Sequence, residues 1–194
     1  MSMTRKYRIE MITGLLILLT ISCNNSGTRK EQPSTTDSKS LTEDNSNKDF
    51  SRIGFELMDK EKFGDISLGL PYNEIIDKLG EPEDKTEPEI FGADGEYHQT
   101  LKYNTKGIEL DLIGEVEKNR KINRILISSP CNFKTIRGVG IGSNYKDVEL
   151  KYKEEIDPKF SDSVSIVAGS IYGGLMFGFE NNTVKTIFIG ASAE

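Results

Sequence analysis

The chain holds one histidine, His98, and two cysteines, Cys23 and Cys131, so few side chains could serve as base or nucleophile. A Ser–His or Cys–His couple is recognised by a nucleophile and base in a familiar arrangement, and no such motif joins His98 to a serine or to Cys131. Zinc sites draw on clustered Cys and His, which the sequence lacks. Residues 81–96, "EPEDKTEPEIFGADGE", gather seven carboxylates around Lys85, but without the alternating D-x-D-x-D-G order of a calcium loop. This stretch reads as a solvated acidic loop, with contact to a basic partner as the other reading. The glycines of "RGVGIGSN" (137–144) match neither G-x-G-x-x-G nor a phosphate loop ending in Gly-Lys-Ser/Thr. We therefore expect no catalytic constellation, no metal and no cofactor, and read His98 as structural.

The two cysteines sit in different contexts. Arg5, Lys6 and Arg8 precede an apolar run from Met11 to Ile21, and Ser22 and Cys23 follow it. This is the layout of a secretory signal peptide, here 1–22. The run is far shorter than the ~20 residues a membrane-spanning helix requires. Cys23, behind the small residue Ser22, resembles the lipobox cysteine of bacterial lipoproteins; Leu19 lies one step early and Thr20 stands at the usual Leu position. The resemblance implies a lipidated Cys23 as the mature N-terminus, a membrane attachment, and a cell-envelope location, with the outer membrane expected. Cys131 would then have no disulfide partner, and a lone cysteine after Pro130 is read as a small buried residue.

Residues 24–49 contain one aliphatic side chain, Leu41, among Ser, Thr, Asn, Asp and Lys. Such a segment cannot bury enough surface to offset its ordering entropy, so 23–49 reads as an anchor and disordered tether. As a flexible coil it spans ~28 Å. The remaining 50–194 has the size of a single globular domain. A formal charge of −6 and a pI near 5.1 argue against a nucleic-acid partner, which demands clustered Lys and Arg.

Within that domain one pattern occurs twice. "ISLGLPYNEIIDKLG" (66–80) places Tyr72, Ile75, Ile76 and Leu79 on one helical stripe, with Pro71 as the first helical residue and Gly80 as the stop. "VGIGSNYKDVELKYK" (139–153) matches it, Tyr145 to Tyr72, Val148 to Ile75 and Tyr152 to Leu79, with Ser143 as the expected N-cap. Strand patterns follow in step: "GIELDLIG" from 107 with "GLMFGFEN" from 174, and "KINRILIS" (121–128) with "TVKTIFIG" (183–190). Segments 96–103 and 163–172 are the candidates for the preceding strand of each unit. Glu180-Asn181-Asn182 predicts a tight hairpin, and 114–120 a longer one. Each unit reads as a helix and three antiparallel strands. The expected fold is therefore α+β: two tandem repeats, about 64–129 and 136–190, forming one sheet with both helices on one face.

The spelling of the first copy, "ISLG", the Ile75/Leu79 helix and then "LGEP", resembles the SmpA/OmlA outer-membrane assembly lipoproteins. The tandem arrangement is similar to the beta-lactamase inhibitor protein, which implies two such repeats in one helix-backed antiparallel sheet. The shared motifs are turn glycines and core aliphatics, so they speak to fold and assign no contact residue.

Strict alternation sends Ile125, Ile127, Ile187 and Ile189 towards the helices and Ile122, Leu126, Val184 and Phe188 to the opposite face. A water-facing sheet surface should be polar. Either "RIGFELM" (52–58) covers that face, or its apolar residues form a docking platform. The function expected from the sequence is a membrane-tethered, non-catalytic module of the envelope that binds a protein through this face and through Glu115 and Glu117 of the longer hairpin. An inhibitor or immunity protein that blocks an exported enzyme is the alternative.

Overall fold

The computed structural model describes residues 48–192; the segments expected as signal peptide and tether, with Cys23 between them, lie outside the described residues. Helix α1 (Phe50–Lys60) begins where the Asp49 carboxylate accepts a hydrogen bond from the Arg52 N–H at 3.1 Å, satisfying a donor that the first turn leaves open. Helix α2 (Tyr72–Leu79) follows, then the two-residue strands β1 (Asp84–Lys85) and β2 (Glu89–Ile90), and strands β3 (Tyr97–Tyr103), β4 (Ile108–Gly114) and β5 (Lys121–Ser128). After helix α3 (Tyr145–Lys151) come β6 (Ser165–Ser170), β7 (Gly173–Glu180) and β8 (Thr183–Gly190). The architecture is α+β, three helices and one eight-stranded antiparallel sheet in the order β1-β3-β4-β5-β8-β7-β6, with β2 also on β3.

Helix α2 and helix α3 are hooked to the sheet in the same way. The Gly69 N–H donates to Ile122 O, Ile122 N–H to Leu70 O, and Tyr72 N–H to Arg120 O. In the other half Gly142 donates to Val184, Val184 to Ser143, and Tyr145 to Asn182. Gly69 and Gly142 have φ of 78° and 87°, a left-handed backbone that glycine adopts without strain. The helix starts differ by one residue from expectation. Pro71 lies just before α2, and α3 is capped by Asn144, which accepts from Lys146 N–H at 3.0 Å, while Ser143 Oγ accepts from Gly140 N–H.

One buried cluster joins Leu57 of α1, Ile75 and Leu79 of α2 and Val148 of α3 to Leu101, Leu110, Ile125, Phe177 and Ile187 of the sheet. All three helices thus close the same face. Full burial of each such side chain stabilises by about 1.5–3 kcal/mol. The segment 52–58, one of the two alternatives for the opposite face, does not cover it: it is part of α1 and packs on β6 and β7 from the helix side. Gly54 makes that approach possible, because a Cβ there would fall 1.7 Å from Gly173 O. Glu61, which follows α1, is 1% exposed and accepts from Tyr152 Oη at 3.0 Å and Ile136 N–H at 2.6 Å, tying the end of α1 to the residue that closes α3.

The tight turn predicted at Glu180-Asn181-Asn182 is present, with positive φ at both asparagines, the backbone a two-residue hairpin needs to follow strand twist.

Candidate functional site

The sheet face away from the helices is built at the β5–β8 junction. Here Leu126 pairs with Phe188, flanked by Ile125 with Ile189 and Ile127 with Ile187. The flanking isoleucines are fully buried, so alternation turns Leu126 and Phe188, both half-buried, to the opposite face, as the sequence implied. The register extends this pair into a row across the sheet. From Leu126 it runs through Glu109 and Lys102 to Asp84 on one side, and from Phe188 through Met176 to Val167 on the other.

The two arms of that row differ in chemistry. On the β3–β4 side the charges pair among themselves: Lys102 Nζ is 3.4 Å from Glu109, Arg124 Nε is 3.2 Å from Asp111, and Thr100 Oγ1 donates to Asp111 at 2.6 Å. On the β7–β8 side the neighbours are small. Gly178 stands beside Thr186, and Gly174 pairs with Gly190, over which the Arg124 side chain lies. Leu126, Phe188 and Met176 therefore form an apolar strip bordered by glycines and threonine at one end and by internally neutralised charges at the other. Such a surface can hold an apolar ligand segment while leaving the adjoining pairs hydrated.

Ile122 and Val184, expected on this face, are 2% and 0% exposed and belong to the core. The cause is a bulge at the same place in both hairpins. Leu112 pairs with Ile122 although Asp111 pairs with Arg124, and Phe179 pairs with Val184 although Gly178 pairs with Thr186. The extra residue, Asn123 in β5 and Lys185 in β8, reverses the alternation and turns the preceding aliphatic inward.

At the far end of the β4–β5 hairpin, Glu115 and Glu117 are exposed on either side of Val116, itself 49% exposed. They do not join the Leu126–Phe188 strip. Glu115 instead borders a groove of about 670 Å³ shared with Asn73, Glu96, Ile113, Lys118 and Lys121. Arg120, which no motif singles out, is buried beneath this hairpin. Its Nη2 donates to Gln99 Oε1 at 2.8 Å, its guanidinium lies 5.5 Å from the Tyr72 ring centroid, and Glu117 approaches at 4.0 Å. These contacts fix the base of the hairpin to α2 and β3.

His98 has structural neighbours. Phe91 stacks on its ring at 4.0 Å and 7°, and Nε2 is 2.8 Å from Asp94. Asp94 in turn accepts from Glu96 N–H, and these bonds hold its carboxyl below the usual range. The acidic segment 81–96 is exposed as expected, but it also contains β1 and β2, which complete the outer edge of β3. Cys131 is buried and free, and burial pushes its thiol up, away from the reactive thiolate. Among the described residues no group of three or more His, Cys, Asp or Glu is placed to hold a metal ion, and no helix is long and apolar enough to cross a membrane. Comparison with known protein families, with curated proteins and with solved structures found no match.

Proposed function

We propose that this chain is a membrane-tethered, non-catalytic binding module of the bacterial envelope, built from two copies of one helix-and-three-strand unit, that captures a protein on the sheet face away from its helices. The observation that carries this reading is the Leu126–Phe188–Met176 strip at the centre of a face on which none of the three helices packs. The matching helix hooks and the matching bulges support the duplication. Lipidation at Cys23 supplies the tether, and the resemblance to envelope assembly lipoproteins supplies the setting.

Phe188→Asp tests the reading. A half-buried, water-facing site accepts the charge with little loss of stability, while removal of a central aromatic anchor weakens partner capture by ~2 kcal/mol or more. The two measurements are thermal unfolding and pull-down from detergent-solubilised envelope, each against the unsubstituted chain. A folded variant with undiminished capture removes the face from consideration.

The inhibitor reading has its own support in the β2–β3 segment. Ile90 and Phe91 are 59% and 48% exposed, and the stack on His98 holds Phe91 in place beside Asp94. A preorganised aromatic among carboxylates suits insertion into a basic cleft. Phe91→Ala separates the two: loss of capture in this variant with capture intact in Phe188→Asp favours the inhibitor.

A further inference from the structure

The α1 end of the domain carries a second exposed apolar surface, away from the sheet strip. Phe55 is 57% exposed although its ring lies over Gly173, where a Cβ would meet it at 3.3 Å. Tyr172, which precedes Gly173 in the β6–β7 turn, is 56% exposed. Nothing in the folding of the domain calls for either ring to stand in water, since Gly54 and Leu57 already seat α1 on β6 and β7.

Two further observations indicate what meets these rings. The first is position in the chain. Phe50 opens α1, 27 residues after Cys23, so a lipid on Cys23 joins the domain at its α1 end. A tether of that length, as the composition of 24–49 implies, keeps the attached surface at an effective concentration on the order of millimolar, so contact needs little intrinsic affinity. The second is charge. Residues 64–128 carry fourteen Asp and Glu against eight Lys and Arg, whereas residues 129–192 carry seven of each. Anionic headgroups repel the first half and leave the second free to approach.

We propose that the Phe55–Tyr172 surface rests on the membrane leaflet that holds the anchor, with both rings at headgroup depth, as aromatic side chains at membrane interfaces do. This orientation rests on the lipidated Cys23 of the preceding section. It points the acidic half, with its longer hairpin, away from the anionic surface.

The chain contains no tryptophan, so F55W, Y172W and, as a control on the sheet face, F188W each introduce a single reporter. The probe is the full-length lipidated protein on vesicles of phosphatidylethanolamine and phosphatidylglycerol, with and without brominated acyl chains. Bromolipid is expected to quench F55W and Y172W at least twofold more than F188W, with a blue-shifted emission. Protein that floats with the vesicles while F55W and Y172W are quenched no more than F188W overturns the orientation and leaves the tether standing. Protein that fails to float overturns both. Unchanged circular dichroism of F55W and Y172W excludes misfolding as the source of either result.

Discussion

The two halves of the domain close the same kind of core with the large ring brought from opposite sides. Leu101 pairs with Leu110, and Ile166 pairs with Phe177, so Tyr103 and Ala168 occupy corresponding strand positions two residues further on. In the first half the strand supplies Tyr103 and the helix ends in Leu79. In the second the strand supplies Ala168 and the helix is followed by Tyr152, whose ring lies tilted at 48° against Phe177 with centroids 5.0 Å apart. Both phenols are tied down: Tyr103 Oη donates to Gly80 O at 3.0 Å and Tyr152 Oη to Glu61 at 3.0 Å. What the halves share is a filled volume with a satisfied hydroxyl, and the residue that provides it is exchangeable. On the proposed duplication, this is how two copies could keep one architecture while little of their spelling persists.

Substitutions can break or sharpen that likeness, and the largest effects fall on the paired bulges. Ile122→Asp and Val184→Asp each bury an unpartnered carboxylate, and both variants are expected to be unfolded at 25 °C by circular dichroism, because that cost rivals a domain stability of roughly 5–15 kcal/mol. A folded Val184→Asp beside an unfolded Ile122→Asp would mean the second bulge does not turn its aliphatic inward as the first does.

Next come the helices. Ile75→Ala is expected to cost ~2–5 kcal/mol, and Val148→Ala less, since fewer methyls are removed. Both must lower one common transition in a thermal melt, as the three helices share a single cluster. Two transitions, each moved by only one of the substitutions, would divide the domain.

The hydroxyls separate the halves more finely. Tyr152→Phe takes a donor from the buried Glu61, a loss of about 1–3 kcal/mol, whereas Tyr103→Phe releases only the carbonyl of exposed Gly80, about 0.5–1.5 kcal/mol. Tyr103 also leaves a pH signature. Burial first, then Tyr72, Glu81 and Glu83, push its phenol up to about 12 from an ordinary value near 10. Between those values the unfolded chain gives up the proton that the folded domain retains, so this contribution is complete below pH 10 and is lost as pH rises towards 12. Chemical denaturation across pH 9–12 should show that decline, and Tyr103→Phe should lessen it without removing it, because burial also raises the phenols of Tyr152 and Tyr145.

The smallest effect belongs to the open face, where Leu126→Asp is expected to shift the unfolding free energy by less than about 1 kcal/mol, against the collapse of Ile122→Asp four residues away.

These contrasts also show what the sequence could and could not reveal. Periodicity located α2, α3 and the main strands, and the alternation of Ile125, Leu126 and Ile127 placed Leu126 and Phe188 correctly. It failed at Ile122 and Val184 because a bulge is set by backbone pairing and no residue type marks it; Asn123 and Lys185 have nothing in common. The segment 52–58 does carry a helix signal, Asp49 as cap and Ile53 with Leu57 four apart, but its landing place depends on Gly54 meeting Gly173, a contact between residues far apart in the chain. Strands β1 and β2 are too short and too acidic for any periodic pattern. Arg120 was invisible because a buried cation is defined by its neighbours, Gln99 and Tyr72, and not by its place in a motif.

The junction of β5 with β8 has a consequence for how the molecule behaves on dilution. Leu126 faces Phe188, Ile125 faces Ile189 and Ile127 faces Ile187, so the two edges meet about a local two-fold axis, as the subunits of an isologous dimer do. Two separate chains pairing this way would obey mass action and part as their concentration fell. Here the seam is intramolecular, because residues 129–182 connect β5 to β8 within one chain, and its occupancy is set by the geometry of that connection. The joint that in a dimer would be the first to open on dilution thus holds at any protein concentration.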